Sequence, residues 1–392
     1  MTTATRLFSY PEQRALEDAA FARATTPTRI FKLLFPIWCV TIAATVTDAE
    51  DYDLIDRYLE RGIAEGGFTT AAELARFFAL DEVLVDRALR ALAAIGHVTC
   101  ANGRWALTAL GRRSTAAQKR YVIRAEDRRK LYFDAWESRP LARPHYDSRK
   151  VTMLPLHARP DHFEPLVSTR GFDDGALHRL AGLADRDRFN LPAQIDQPRQ
   201  VCAPELLYLP VYVVRATEGR HVRYLVYGQA SDEADRDLTA LAEGVQEVAG
   251  VLETEQRSAR DPQSQAHDWL NQANLTGRVA RTGEGLLRVT LRGDAFGGDR
   301  GLPLHRLGSF TVRGTGFFQL WCQDERVRER ALAERLASYV LARSQVARAQ
   351  VENQLARLGR QLGFTGLTVE AAAALARRLG NQRLAKQLSK LT

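Results

Sequence analysis

The apolar positions of this chain change period along its length, and the clearest change lies between residues 51 and 113. Leu54, Ile55, Tyr58, Leu59 and Ile63 recur at helical spacing and predict a helix over 51–65. A Gly66-Gly67-Phe68 turn follows, and Ala71, Leu74, Phe77 and Phe78 predict a second, short helix. A third helix is predicted over 82–95, with Leu84, Ala88, Leu92 and Ile95 as its inward face. The period then drops to two: strands are predicted at 97–100 and 104–108, on either side of Asn102-Gly103. Local chemistry agrees at each end. Thr70 and Glu73 have the spacing of a capping box, and Gly96 follows the last periodic residue, where a left-handed C-cap is wanted.

Elsewhere the pattern is looser. A short helix is predicted over 12–24. The apolar run 30–46 is broken by Lys32 and Pro36 and reads as a buried strand, best defined at 37–46. Residues 114–137 read as a helix, with Tyr121, Val122, Leu131 and Phe133 set among Arg128, Arg129 and Lys130. Pro140, Pro144, Pro155, Pro160 and Pro165 then mark a domain boundary. Strands at 206–215 and 221–227 flank Glu218-Gly219 as a hairpin. A helix is predicted over 232–252, and strands at 286–291 and 309–322 enclose a glycine-rich loop, 293–301. The C-terminus reads as one long helix, 327–362, and a helical tail, 368–391, interrupted at Gly380.

The segments "AAELARFF", "VDRALRALAAIGHV", "NGRWALT" and "LGRR" carry a resemblance. Residues 51–113, about one sixth of the chain, resemble the winged helix-turn-helix superfamily of bacterial DNA-binding domains. The expected fold class is therefore α+β: an N-terminal winged helix-turn-helix, a central mixed α/β domain, and a C-terminal long helix with a helical tail. The expected divisions are 1–50 (arm and strand), 51–137 (winged helix with a following basic helix), 150–322 (a ligand- or partner-binding domain) and 325–392 (helical region).

Charge sharpens the expectation of a polyanion partner. The net charge is +8, and residues 97–150 alone hold thirteen Lys/Arg against five Asp/Glu. Such clustering is an electrostatic footprint for nucleic acid. The resemblance implies double-stranded DNA as the partner, read or gripped by the third helix and the hairpin. On that helix Arg87 and Arg90 could pair with guanine, or alternatively with Asp86 or Asp81 beside them. Arg104 sits at the hairpin tip, and Arg112, Arg113, Lys119 and Arg120 follow it, in positions that suit phosphate contacts. Asp81, Glu82 and Asp86 at the start of the third helix oppose base reading, so backbone-dominated binding is expected. Trp105 is expected to face inward rather than to stack on bases.

Catalytic and metal-binding patterns are not found: there is no GxxxxGK[ST] loop, no HExxH and no metal-spaced cysteine pair. His157, His162, Asp161 and Glu164 share a stretch that reads as a solvated loop. Asp173-Asp174 reads as a helix start, Gly314-Thr315-Gly316 as a turn, and His305-Arg306 as a surface turn, with anion binding as the alternative. No enzyme activity, cofactor or metal is expected. No apolar run reaches the ~20 residues that span a bilayer, residues 1–18 have no secretory pattern, and four scattered cysteines suit a reducing compartment. A cytoplasmic bacterial protein without membrane attachment is expected. Its leading role is a transcriptional regulator or the DNA-targeting subunit of a multi-protein system such as phage defence. The alternative is a scaffold subunit whose winged helix binds protein, with a homodimer among the options; the third is an unlisted nuclease or hydrolase.

Overall fold

The structure, a computed structural model, describes residues 7–258, 260–298 and 301–391. The first six residues of the expected arm and residues 299–300 of the glycine-rich loop lie outside it. In chain order the elements are helix α1 (Glu12–Glu17, continued by a π-helical turn Asp18–Ala22), strand β1 (Thr26–Glu50), helices α2 (Leu54–Ala64), α3 (Ala71–Phe78) and α4 (Glu82–Ala94), strands β2 (Val98–Ala101) and β3 (Arg104–Leu107), helix α5 (Ala109–Ala117) and strand β4 (Arg120–Asp134). Next come β5 (Glu164–Pro165), α6 (Ala176–Gly182), β6 (Ile195–Gln200), the strands β7 (Glu205–Glu218) and β8 (His221–Tyr227), and the helices α7 (Arg236–Gly244), α8 (Gln246–Ser258) and α9 (Pro262–Gln272). The chain ends with β9 (Gly277–Arg281), β10 (Leu287–Leu291), β11 (Phe310–Arg313), β12 (Gly316–Cys322), α10 (Glu325–Leu341), α11 (Arg348–Leu362), α12 (Val369–Arg378) and α13 (Gln382–Leu388).

These elements form two compact units, and the division is not the linear one expected. One unit comprises the chain up to Ile37, Pro144–Arg170 and the chain from Leu207 onward; the other comprises Trp38–Arg143 and Gly171–Leu206. The first unit joins what the sequence separates at 322–325. Val289, Phe318 and Leu320 of its four-stranded sheet, ordered β11-β12-β10-β9, share one core with Leu332, Leu336, Leu355, Leu358, Ala373 and Leu384 of the C-terminal helices. The same unit holds the β7–β8 hairpin, which turns at Gly219 with φ +61° as expected, and β5, paired to Leu33 and Leu34 of β1. In the second unit the later half of β1 pairs with β6 from Ile42 to Val46, and β4 also pairs with β1.

Four further expectations are corrected. Residues 114–137 are not one helix: α5 stops at Gln118, which takes a left-handed φ of 52°, and the basic segment is strand β4. Pairing with β1 outweighs the weak helical spacing of its charges, because strand preference is set by neighbours more than by residue type. Residues 327–362 are two helices, separated at 342–347; Gln350 Oε1 accepts the Ala347 amide 3.1 Å away and starts the second afresh. Both halves then bury apolar faces in the same core. Residues 232–252 also divide, at Val245, whose backbone is extended. Residues 309–322 form a hairpin about Gly314 (φ +60°) rather than one strand.

Candidate functional site

The segment 53–117 is built by short-range chemistry. Asp53 Oδ1 accepts the Ile55 amide at 3.1 Å and starts α2. Thr70 and Glu73 form a reciprocal capping box on α3, with contacts of 3.2 and 3.0 Å. Asp81 Oδ1 accepts the Val83 amide at 2.8 Å on α4. The β2–β3 hairpin turns through Asn102 and Gly103, both at positive φ (54° and 75°), and pairs Val98 with Leu107 and Cys100 with Trp105. Leu59, Leu74, Val85, Leu89, Leu92, Val98, Trp105 and Leu107 form one core, so Trp105 faces inward as its pattern predicts.

The predicted faces are met in part: Leu59, Ile63, Ala88, Leu92 and Ile95 lie in or against the core. Val85, Leu89 and Leu92 are the buried stripe of α4, and Leu84 is not part of it. On α2 Leu59 is buried, while Leu54, Ile55 and Tyr58 face solvent. The result is an exposed apolar surface. Leu54 is 65% exposed, Tyr58 46%, Phe77 64% and Val83 77%. The rings form a continuous ridge: Tyr58 to Phe78 at 6.1 Å, Phe78 to Phe77 at 4.9 Å, and Phe77 to Phe68 at 4.7 Å between centroids.

The same unit holds a buried polar network that the sequence pattern did not reveal. His97 Nδ1 is 2.5 Å from Glu60 Oε1, and His97 Nε2 is 2.6 Å from the Tyr121 carbonyl oxygen. The other Glu60 oxygen accepts from the Tyr52 hydroxyl at 2.8 Å and from Thr115 Oγ1 at 3.2 Å. Burial alone lowers the His97 pKa, but its contacts with Glu60 and the Tyr121 carbonyl outweigh burial, and the net shift is upward. Neither His97 nor Glu60 has solvent access, so the pair holds α2, β2 and β4 together rather than acting on a ligand. The available signal was Glu60 itself, an acid beside Leu59 on the inward side of α2.

The seven cations expected to meet DNA are divided by the structure. Arg90 pairs with Asp86 at 2.7 Å, the alternative the sequence allowed. Arg112 donates to the Leu107 carbonyl at 2.8 Å. Arg113 pairs with Asp196 at 2.6 Å and lies over the Tyr121 ring. Lys119 meets Asp51 at 3.1 Å, and Arg120 bridges Glu50 at 2.8 Å and Asp56 at 3.4 Å. Lys119 and Arg120 lie at the end of α5 and the start of β4, not on a further helix. Arg87 and Arg104 are exposed, and no hydrogen bond or ion pair of either side chain is found among the described residues.

Charge is redistributed by the discontinuous division. The unit that contains 53–117 holds 20 Lys/Arg against 21 Asp/Glu, a net charge of −1. The excess therefore belongs to the other unit, with 35 against 26, a net charge of +9. The basic run 97–150 looks concentrated only along the chain; acids from 38–56 and 171–206 are folded among it.

Other singled-out residues are placed as follows. Asp173 accepts the Gly175 amide at 2.8 Å and pairs with Arg179 at 2.7 Å, at the start of α6. Among the described residues no group of three His, Cys, Asp or Glu side chains is arranged to hold a metal, and His157 and His162 are exposed. Cys39 and Cys322 are buried and Cys100 and Cys202 exposed, all four as free thiols. No described helix is long and apolar enough to cross a membrane. No family model, curated protein or solved structure matches the chain.

Proposed function

We propose that residues 53–117 form a winged helix-turn-helix that docks a protein partner, making this chain a scaffold or adaptor subunit. The observation that carries this reading is the exposed set Leu54, Tyr58 and Phe77, with half-buried Phe78 joining the two rings, on a unit of net charge −1. Contiguous exposed apolar surface of this kind is a usual mark of a protein interface. Aromatic anchors dominate such interfaces, and burying one Phe or Tyr side chain contributes about 1.5–3 kcal/mol. A duplex would meet the opposite electrostatics: Asp81 and Glu82 open α4, and five of the seven candidate cations already have partners in their own unit.

Duplex binding is the second reading, favoured by Arg87 and Arg104, which are exposed and uncommitted. One pair of measurements on the intact chain separates the two. Photo-crosslinking from position 77 in producing cells is expected to give a protein adduct, and generic duplex is expected to show no salt-dependent binding between 50 and 200 mM salt, where a phosphate-gripping protein changes affinity steeply (roughly a thousandfold or more for six to ten contacts). Duplex binding that is lost in an Arg87→Ala, Arg104→Ala double variant and kept in Phe77→Asp would overturn the docking reading.

A further inference from the structure

The unit of net charge +9 contains a cavity of about 590 Å³ between α1, the turn Leu304–Arg306, α10 and α11. Four arginines line it, Arg14, Arg306, Arg335 and Arg357, against two acids, Glu17 and Glu334. The lining therefore carries a net charge of +2, with His305 neutral. Asp232, outside the lining, offsets one of these charges through Arg14 and leaves an excess of +1. Glu17 is already used twice, by Arg14 at 3.0 Å and by Ser309 Oγ at 2.7 Å. The second amino group of Arg14 goes to Asp232 at 3.1 Å. Arg335 donates only to carbonyl oxygens, of His305 and of Leu307 at 2.6 Å, which fix its position without neutralising it. Arg306 is held by Thr311 Oγ1 at 2.9 Å.

Arg357 is the exception that points to a ligand. Its Nε and Nη2 atoms are buried and have no hydrogen-bond partner. Nη1, by contrast, is neither buried in this way nor bonded to a protein acceptor among the described residues, so it is the Arg357 atom that a ligand in the cavity can meet, in surroundings that strengthen a charged hydrogen bond. Burial, together with the charge of Arg14, pulls the Arg357 pKa below the ordinary arginine range, and Arg335 is lowered by burial and by Arg14 and Arg357. Arginine nevertheless stays protonated, so these sites remain cationic donors with forked geometry. That fork matches the oxygens of a phosphate or carboxylate. The volume falls within the ~300–1,000 Å³ typical of small-molecule pockets, which is far more than a bare phosphate fills.

We propose that this cavity is a binding site for a small phosphorylated organic ligand, with Arg357 as the principal phosphate donor and Arg335 and Arg14 completing the cationic wall. The sequence alternative of an anion site at His305-Arg306 lies at the rim of this cavity. The proposal is independent of what residues 53–117 bind.

The test is calorimetric titration of the full chain with pyrophosphate, with citrate as a polycarboxylate of similar charge, at constant ionic strength. Saturable pyrophosphate binding, at least tenfold tighter than citrate, is expected. Arg357→Gln should weaken it tenfold or more while leaving the melting temperature of the ligand-free protein unchanged or higher, because an unpaired buried charge is removed. Gln354→Glu, which places a carboxylate on the same lining without deleting packing atoms, should weaken it comparably. The Gln354 variant supplies the readout if Arg357→Gln does not fold. Absence of saturable binding, equal affinity for citrate, or full affinity in the variant that folds would overturn the proposal.

Discussion

The imidazole of His97 sits between two acceptors: the Glu60 carboxylate 2.5 Å from Nδ1 and the Tyr121 carbonyl oxygen 2.6 Å from Nε2. A carbonyl can only accept, so Nε2 carries a proton. The Glu60 oxygen facing Nδ1 belongs to a carboxyl group whose other oxygen accepts from Tyr52 and Thr115. Both contacts favour the protonated ring, which is buried and paired.

This arrangement fixes the sign of a pH dependence. The folded-state pKa of His97 lies above the ordinary histidine value of about 6.5, through Glu60 and the Tyr121 carbonyl acting against burial and against the nearby Arg120 charge. A raised pKa contributes stability that is fully present below about pH 6.5 and is lost as pH rises through the folded value. Amide exchange in α4, corrected for intrinsic rates, should report lower protection at pH 9 than at pH 6. His97→Gln should flatten that difference, and Glu60→Ala should destabilise the unit by about 3–5 kcal/mol, the cost of stranding a buried charge. Equal pH profiles for wild type and His97→Gln would show that the ring is neutral in the fold.

Local signals in the sequence located this region well, and long-range ones were invisible. Thr70, Glu73, Gly96 and Asn102-Gly103 act within a few residues, and each does in the fold what its spacing implies. The Glu60–His97 contact spans 37 residues, and no period records it. The faces of α2 and α4 were legible in part: Leu59, Ile63, Ala88, Leu92 and Ile95 lie in or against the core, but Leu54 and Leu84, apolar in any periodicity, are exposed, and packing selects Val85 and Leu89 instead. The seven candidate cations were legible as charges but not as pairs, since Glu50, Asp56 and Asp196 approach only through β1, α2 and β6. The same limit hid the arginine cavity, whose walls are drawn from residues 11–17 and 305–361.

Close approach at Gly111 gives a second expectation. A Cβ added there would lie 2.1 Å from the His97 carbonyl oxygen, a backbone atom with no freedom to withdraw. The Thr108 amide also donates to that oxygen at 2.9 Å, which locks the junction of β3 and α5. Gly111→Ala should cost about 1–3 kcal/mol, as overpacking does. Thermal denaturation that is unchanged by this substitution would show that α5 can shift away from the hairpin.

Arg120 separates a structural cation from a nucleic-acid contact. It bridges Glu50 and Asp56 while remaining about 29% exposed. Removing it as Arg120→Ala should lower stability by up to about 1 kcal/mol, the scale of a partly exposed ion pair, with a smaller effect in high salt. Any residual affinity for duplex should be unchanged within twofold. A tenfold fall in duplex affinity without loss of stability would instead place Arg120 against phosphate.

The exposed ridge makes the sharpest contrast between stability and binding. Phe77 is 64% exposed and contributes little to the core formed by Leu59, Leu74 and Leu89, so Phe77→Asp should change stability by no more than about 0.5 kcal/mol. The same substitution places a charge in the centre of the proposed interface, next to Phe68 and Phe78. Desolvating that carboxylate without a partner should weaken docking by 2 kcal/mol or more, roughly thirtyfold. Tyr58→Ala, at the other end of the ridge, should act in the same direction. Arg104→Ala, at the hairpin tip, should leave docking intact. The measurement is the yield of the position-77 crosslink, or of one placed at Leu54 when position 77 is itself altered. If Phe77→Asp and Tyr58→Ala both preserve the adduct while Arg104→Ala abolishes it, the contact belongs to the hairpin and the ridge is simply exposed surface.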